Sequence, residues 1–256
     1  MLKVGTWNVN SINARLDRLK AVLDRHQPDV LCLQELKCTE DKFPYLEVKA
    51  CGYEAQVFGQ KAYNGVALLS REPLSGVAHS FEGCPSEDAR YICADFRGIQ
   101  IASAYIPNGQ EVGSSRYFYK LDWLHKLGLA LKQLRDAGKP ALVLGDFNVA
   151  PTAQDVHDPA EWAGRILFSE PERAALSGIL ELGFIDVFRS LVTTGGQYSW
   201  WDYRQLAFPK NHGLRIDLIL ASQDLGPRFQ KSYIDRDERK GSKPSDHAPV
   251  FAEFLE

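Results

Sequence analysis

Leu142-Val143-Leu144-Gly145-Asp146-Phe147-Asn148 is a short apolar run that ends in an acid and an amide two positions apart. Its length and its polar ending mark a buried strand, and strand periodicity puts Asp146 and Asn148 on one face. A carboxylate and an amide at the C-terminal end of such a strand can position a water and hydrogen-bond a phosphoryl oxygen. An Asx turn that merely ends the strand would use the same two residues. The pattern recurs along the chain: Trp7-Asn8-Val9-Asn10 ends one strand with two amides, and Gln34-Glu35-Leu36-Lys37 ends the next with an acid. In Leu214-Arg215-Ile216-Asp217-Leu218-Ile219-Leu220 an acid stands in the middle of an apolar strand, where burial demands a partner.

Around these stretches, residues 3–9, 30–36, 65–70, 91–96, 99–106, 141–147, 214–221 and 249–254 read as strands. Ser11 and Asn13 are candidate caps for a helix that carries Leu16, Leu19, Val22 and Leu23 through Arg25. The spacing of Leu121, Leu124, Leu127, Leu131 and Leu134 predicts a long helix over 115–137, ended by Gly138 and Pro140. A further helix is predicted over 170–182, stopped by Gly183. No internal repeat or Pro/Ser-rich linker divides the chain, and neither GxGxxG nor GxxxxGK[ST] occurs, so a single domain built as a layered α/β sandwich is expected.

The 256 residues are 45% hydrophobic and 25% charged, a globular composition that excludes disordered and fibrous classes. The apolar runs are far shorter than the ~20 residues of a membrane span, and the strand-like start is unlike a signal peptide, so a cytoplasmic protein is expected. Five cysteines without CxxC or Cys/His clustering suggest neither a disulfide framework nor a zinc site. The net charge of −3 leaves nucleic-acid binding open, because metal-binding acids would mask a basic groove in the total.

Glu35 is a candidate ligand for a hard cation, since Mg²⁺ needs only one or two carboxylates beside substrate phosphate. A surface ion pair with Lys37 is the ordinary alternative. A buried Asp217 that orients His247 would raise the imidazole pKa and fix its tautomer. Otherwise Asp246 is a cap and His247 is structural.

Taken together, TWNVN, LQELK, YIPNG, GDFN, YSWWDYR, GLRID and PSDHAP resemble the exonuclease III family of DNA repair nucleases, within the wider endonuclease/exonuclease/phosphatase fold. The resemblance spans nearly the whole chain. It implies a four-layered, DNase I-like α/β sandwich in which two packed mixed β-sheets are flanked by helices. It implies Mg²⁺, with Mn²⁺ as a substitute, near Asn8, Glu35, Asp146, Asn148, Asp246 and His247, and catalytic roles for Asp146, Asn148, Tyr105, Asp217 and His247. The implied reaction is hydrolysis of a phosphodiester to leave a 3′-hydroxyl, on double-stranded DNA with damaged or recessed 3′ ends and at abasic sites, by a monomer. Trp200, Leu214 and Ile216 match a pocket for a base-less or flipped residue, although Leu214 and Ile216 serve equally well as core. Arg90, Lys37 and Lys120 are candidate backbone-phosphate contacts.

One segment departs from the family pattern. Glu161-Trp162-Ala163-Gly164-Arg165-Ile166-Leu167-Phe168-Ser169-Glu170-Pro171-Glu172-Arg173 stands where abasic endonucleases of the family carry a segment rich in Asn, Lys and Gly before a Pro-Glu-Glu-Arg turn. If Leu167 or Phe168 intrudes on the pocket, a frayed 3′ end fits better than an internal abasic nucleotide. Two rivals share the fold: an inositol-phosphate or sphingomyelin phosphodiesterase, and a DNA-binding protein without catalysis.

Overall fold

The structure is a computed structural model that describes residues 1–85 and 87–255. In chain order its first half holds β1 (Leu2–Asn8), α1 (Ile12–His26), β2 (Val30–Gln34), α2 (Tyr45–Ala50), β3 (Glu54–Phe58), β4 (Val66–Ser70), β5 (Ser75–Ala78), β6 (Tyr91–Phe96) and β7 (Ile99–Tyr105). Then come α3 (Ser115–Asp136), β8 (Ala141–Asp146), α4 (Pro159–Trp162), α5 (Glu170–Glu181), β9 (Phe184–Asp186), α6 (Val187–Leu191), α7 (Ala207–Lys210), β10 (Asp217–Ser222), β11 (Phe229–Ile234) and β12 (Val250–Phe254).

The strands form two sheets, ordered β11-β12-β1-β2-β4-β3 and β5-β6-β7-β8-β10-β9. Each has one parallel pair at its centre, β1 with β2 and β7 with β8, and antiparallel neighbours on both sides. Parallel neighbours need a crossover, and α1 and α3 supply the two. The sheets thus share one pairing scheme although the sequence shows no repeat.

Val4, Cys32, Leu68, Ile92, Ile101, Leu144 and Ile219 fill the space between the sheets. Trp123, Leu124, Leu127 and Leu131 of α3, with Leu176 and Ile179 of α5, cover the outer face of one sheet. Ile12, Leu19, Val22 and Leu23 of α1, with Val48 of α2, cover the other. The result is the four-layered α/β sandwich. Gly145 carries no Cβ because one built there would lie 1.8 Å from the Ala104 carbonyl oxygen. Among the described residues no helix is long and apolar enough to cross a membrane.

The strands read from the sequence are β1, β2, β4, β6, β7, β8, β10 and β12, the inner members of the two sheets. β3, β5, β9 and β11 were not anticipated, and all are edge strands. β5 is exposed throughout, and β3 and β11 each bury a single residue, so none of these three carries a continuous apolar run. The expected strand over 214–221 is also corrected. Ladder pairing starts at Asp217, because Leu214 bridges instead to Val156 and Trp200 in a separate small ribbon.

Candidate active site

The C-terminal ends of β1, β2, β7 and β8 meet the start of β10 and the approach to β12 at one edge of the sandwich. Asp146 closes β8, and register sets it between Tyr105 of β7 and Asp217 of β10. The chain then turns: Asn148 has φ of 50°, and its N–H donates to Asp146 Oδ1 at 2.9 Å. An Asx turn therefore holds the amide beside the carboxylate, and the expectation that strand alternation does so is corrected. Asn148 Nδ2 donates to the Ile106 carbonyl at 3.0 Å, while its Oδ1 accepts from Asn108 Nδ2 at 3.2 Å.

Asn8 joins the acids of the two sheets. Its Nδ2 donates to Glu35 Oε1 at 2.8 Å and to Asp146 Oδ2 at 2.9 Å. Its own Oδ1 accepts from the Asn10 N–H at 3.0 Å, which fixes the amide so that nitrogen faces the carboxylates. The Tyr105 phenol lies beside the Glu35 carboxylate, and the Arg90 guanidinium lies 4.8 Å from the Tyr105 ring centre. Burial, with Glu35 and Asp146 nearby, keeps the Tyr105 phenol protonated far above the ordinary range.

Asp217 is fully buried and accepts from His247 Nδ1 at 2.8 Å. The second ring nitrogen, Nε2, lies 3.7 Å from Asp146 Oδ2. Burial alone would lower the His247 pKa, but Asp217 and Asp146 outweigh it and push it up to about 10. His247 is an imidazolium at neutral pH. Asp146 moves up to about 7 because burial, aided by Asp217 and Glu35, overcomes the attraction of His247. Asp246 is held below the ordinary range: burial opposes its charge, but His247 and hydrogen bonds from Trp200 and Asn10 prevail.

Ligand atoms of Glu35, Asp146 and His247 lie within 4.8 Å of one another, an arrangement consistent with a divalent metal. Glu35, Asp146, Asp217 and Asp246 gather around His247, with Lys37 beside Glu35. Excess carboxylate with hard oxygen donors fits Mg²⁺ or Mn²⁺. The other residues expected from the sequence as ligands hold hydrogen-bond partners here. Asn8 turns nitrogen, not oxygen, toward the acids, while Asn148 Oδ1 accepts from Asn108 and its Nδ2 gives one N–H to Ile106. Asp246 accepts from Asn10 Nδ2 at 2.8 Å and from Trp200 Nε1 at 3.0 Å.

The three basic candidates fare differently. Lys120 is corrected: its side chain is fully buried and paired with Glu172, so no phosphate can reach it. Lys37 is part-exposed, lies 2.9 Å from Glu35 and donates to Asn10, so the ion pair weighed as the alternative for Glu35 is present. Arg90 lines a cleft of about 470 Å³ with Tyr105, Asn108 and Arg116. Trp200 is half-buried at the site edge, whereas Leu214 and Ile216 are wholly buried with Leu167 and Phe168.

Several residues that shape the site were not singled out from the sequence. Ser199 Oγ accepts from the Asp217 N–H at 3.0 Å, and Ser245 Oγ accepts from the His247 N–H at 3.1 Å. Arg215 is fully buried between Asp155 and Asp186. The rule that flagged Asp217, a charge inside an apolar strand, applied equally to Arg215 two positions earlier.

Comparison with known proteins places this geometry. The Endonuclease/Exonuclease/phosphatase family matches residues 5–247. Exodeoxyribonuclease III of Haemophilus influenzae is 35% identical over 99% of this chain and 100% of its own length. DNA repair nuclease APEX1 of Danio rerio is 33% identical over 97% of this chain and 81% of its own. The 3′ phosphatase NExo from Neisseria, solved with product DNA hairpin, superposes with a TM-score of 0.97 at 36% identity over 100% of both chains. An AP endonuclease from Archaeoglobus fulgidus gives 0.95 at 39% identity over 99% of both. The chain belongs to the exonuclease III/AP endonuclease family of the endonuclease/exonuclease/phosphatase superfamily, and it is a hydrolase of exodeoxyribonuclease III type.

Proposed function

We propose that this protein hydrolyses phosphodiesters at the 3′ ends of double-stranded DNA, as a 3′→5′ exonuclease and 3′-phosphatase or phosphodiesterase that leaves a 3′-hydroxyl. The observation that carries the reading is the meeting of Asp146, Asn148, Tyr105, Glu35 and the Asp217–His247 pair at one sheet edge. Glu35 and Asp146 would hold Mg²⁺ or Mn²⁺. When bound, the cation supplies charge neutralisation at the phosphate and at the leaving oxygen. Asp146, held between the Asn8 amide, the Asn148 N–H and His247, aligns the attacking water and takes its proton. The phenol of Tyr105 and the second Nδ2–H of Asn148, beyond the one given to Ile106, hold phosphate oxygens. The imidazolium of His247, kept charged and oriented by Asp217, stabilises the negative charge that develops.

The pocket side favours ends over internal abasic sites. Leu167 has φ of 73°, a left-handed conformation that costs a non-glycine residue roughly 1–2 kcal/mol. Its side chain is nonetheless buried with Ala150, Val156, Phe168, Leu214 and Ile216, beside Trp200. A leucine kept in a conformation suited to glycine, filling the apolar cluster behind Trp200, supports an obstructed pocket. The test uses three labelled duplexes with Mg²⁺, carrying a recessed 3′-hydroxyl, a 3′-phosphate at a nick and an internal abasic analogue. Cleavage of the first two and poor incision of the third is expected. Robust abasic incision at catalytic enzyme concentration would remove the end preference, and no cleavage of any duplex would remove the function.

Leu167→Gly is expected to raise abasic incision relative to 3′-end hydrolysis by at least roughly 10–200-fold, the range for a single methylene in an apolar pocket. An unchanged ratio in the folded variant would show that Leu167 is not the obstruction.

A further inference from the structure

We propose that the buried Lys120–Glu172 pair is a positioning unit for the reaction, which locks the phosphate-side loop to the pocket-side loop. The inference rests on the role given above to Asn148. Lys120 projects from α3 and is fully buried. Its ammonium donates to the Asn148 carbonyl at 2.6 Å and to the Asn108 carbonyl at 3.0 Å, and it pairs with Glu172. A lysine has three donors, and all three are used here.

Glu172 carries the link onward. Its Oε1 accepts from the Leu167 N–H at 3.1 Å, and its Oε2 accepts from the Ser169 N–H at 3.0 Å and hydroxyl at 2.6 Å, closing the capping box of α5. One ion pair therefore ties three segments: the turn at Asn108, the Asx turn at Asn148, and the stretch that places Leu167 against Leu214 and Ile216. Gly109 leaves room for it, since a Cβ there would lie 3.1 Å from Lys120 Cδ.

Stability alone is a poor reason to keep such a pair. Apolar residues of matching volume commonly replace buried ion pairs with no loss of stability. They cannot reproduce the donors that aim two backbone carbonyls, and the carbonyl of Asn148 sets the plane from which its side chain projects. Asn148 and Asn108 are joined again by their side chains at 3.2 Å, so a shift in one carries the other. Neither Lys120 nor Glu172 is a catalytic residue, and both act through Asn148 and Leu167.

The test compares the wild type with Lys120→Met, Glu172→Gln and the double variant, reading kcat, KM and thermal midpoint on a duplex with a recessed 3′ end. Each single variant is expected to lose about 10- to 100-fold in kcat, the scale of a displacement near 1 Å, with KM within about threefold. The double variant is expected to be no slower than the worse single, because the two residues act as one unit. Glu172→Gln retains capping-box chemistry, so it carries the test if Lys120→Met does not fold. A lowered midpoint with unchanged kcat in Glu172→Gln would overturn the proposal, leaving the pair merely structural. A raised KM with a salt dependence reduced by about one counterion in Lys120→Met would also overturn it, as a phosphate contact. Turnover by the wild type that the variants match defeats this inference alone, whereas a wild type inert on DNA defeats the proposed function and this inference together.

Discussion

Asp146→Asn is expected to lower kcat for 3′-end hydrolysis by about 10²–10⁴-fold, the contribution of a positioned general base, with DNA binding retained. The substitution keeps the size of the side chain and the oxygen that accepts the Asn148 N–H, so the Asx turn survives. It replaces Oδ2, which now accepts from Asn8 at 2.9 Å, with a donor that faces the Asn8 amide. The proton acceptor for water disappears with it. A second readout is independent of turnover: His247 loses one of the acids that hold its pKa near 10, so its midpoint, followed by NMR, falls in the variant. Turnover within about tenfold of the wild type would take Asp146 out of the base role.

Asp155→Asn is expected to destabilise the fold by about 3–5 kcal/mol at pH 7, the cost of breaking a buried pair on one side only. Asp155 Oδ1 accepts from Arg215 Nε at 2.6 Å and from Arg189 Nη2 at 2.6 Å. The Arg215 guanidinium, wholly buried, also spans both oxygens of Asp186 at 3.1 and 2.6 Å. Neutralising Asp155 strands buried positive charge two residues before Asp217, so catalysis falls with stability. Burial works against the Asp155 carboxylate, but Arg215 and Arg189 prevail and hold its folded pKa below the ordinary value. A depressed acid contributes stability above its unfolded pKa of about 3.9, which is lost as pH falls through the folded value. The gap between wild type and variant in urea unfolding should therefore be full at pH 7 and shrink below about pH 4. A gap that stays constant into acid, or one under about 1 kcal/mol at pH 7, would rule out an ionised pair as its source.

What the sequence disclosed follows burial. Inner strands such as Ala141–Asp146 are buried along their whole length and apolar up to their polar ends, so they announce themselves, as does the helical leucine series of α3. The edge strand Ser75–Ala78 is exposed throughout, held by pairing to β6 more than by its own side chains. The acids and amides of the site were legible because polar residues at the ends of apolar strands stand out. Their mutual geometry was not: the Asn8 amide reaches Asp146 across 138 positions of sequence. Lys120 was misjudged for a related reason. A lysine flanked by Tyr119 and Leu121 on an amphipathic helix suggests a surface charge, and only the packing of α5 against α3 supplies Glu172 to bury it.

The most direct measurement is initial-rate hydrolysis of a duplex with a labelled, recessed 3′ end by the purified protein, first with Mg²⁺, then with EDTA, then with Mg²⁺ restored in excess. Release of 3′-terminal nucleotides that stops with the chelator and resumes with the cation is the expected result. Release that persists unchanged in EDTA, or no release under any of the three conditions, would contradict a cation-dependent phosphodiesterase centred on Glu35 and Asp146.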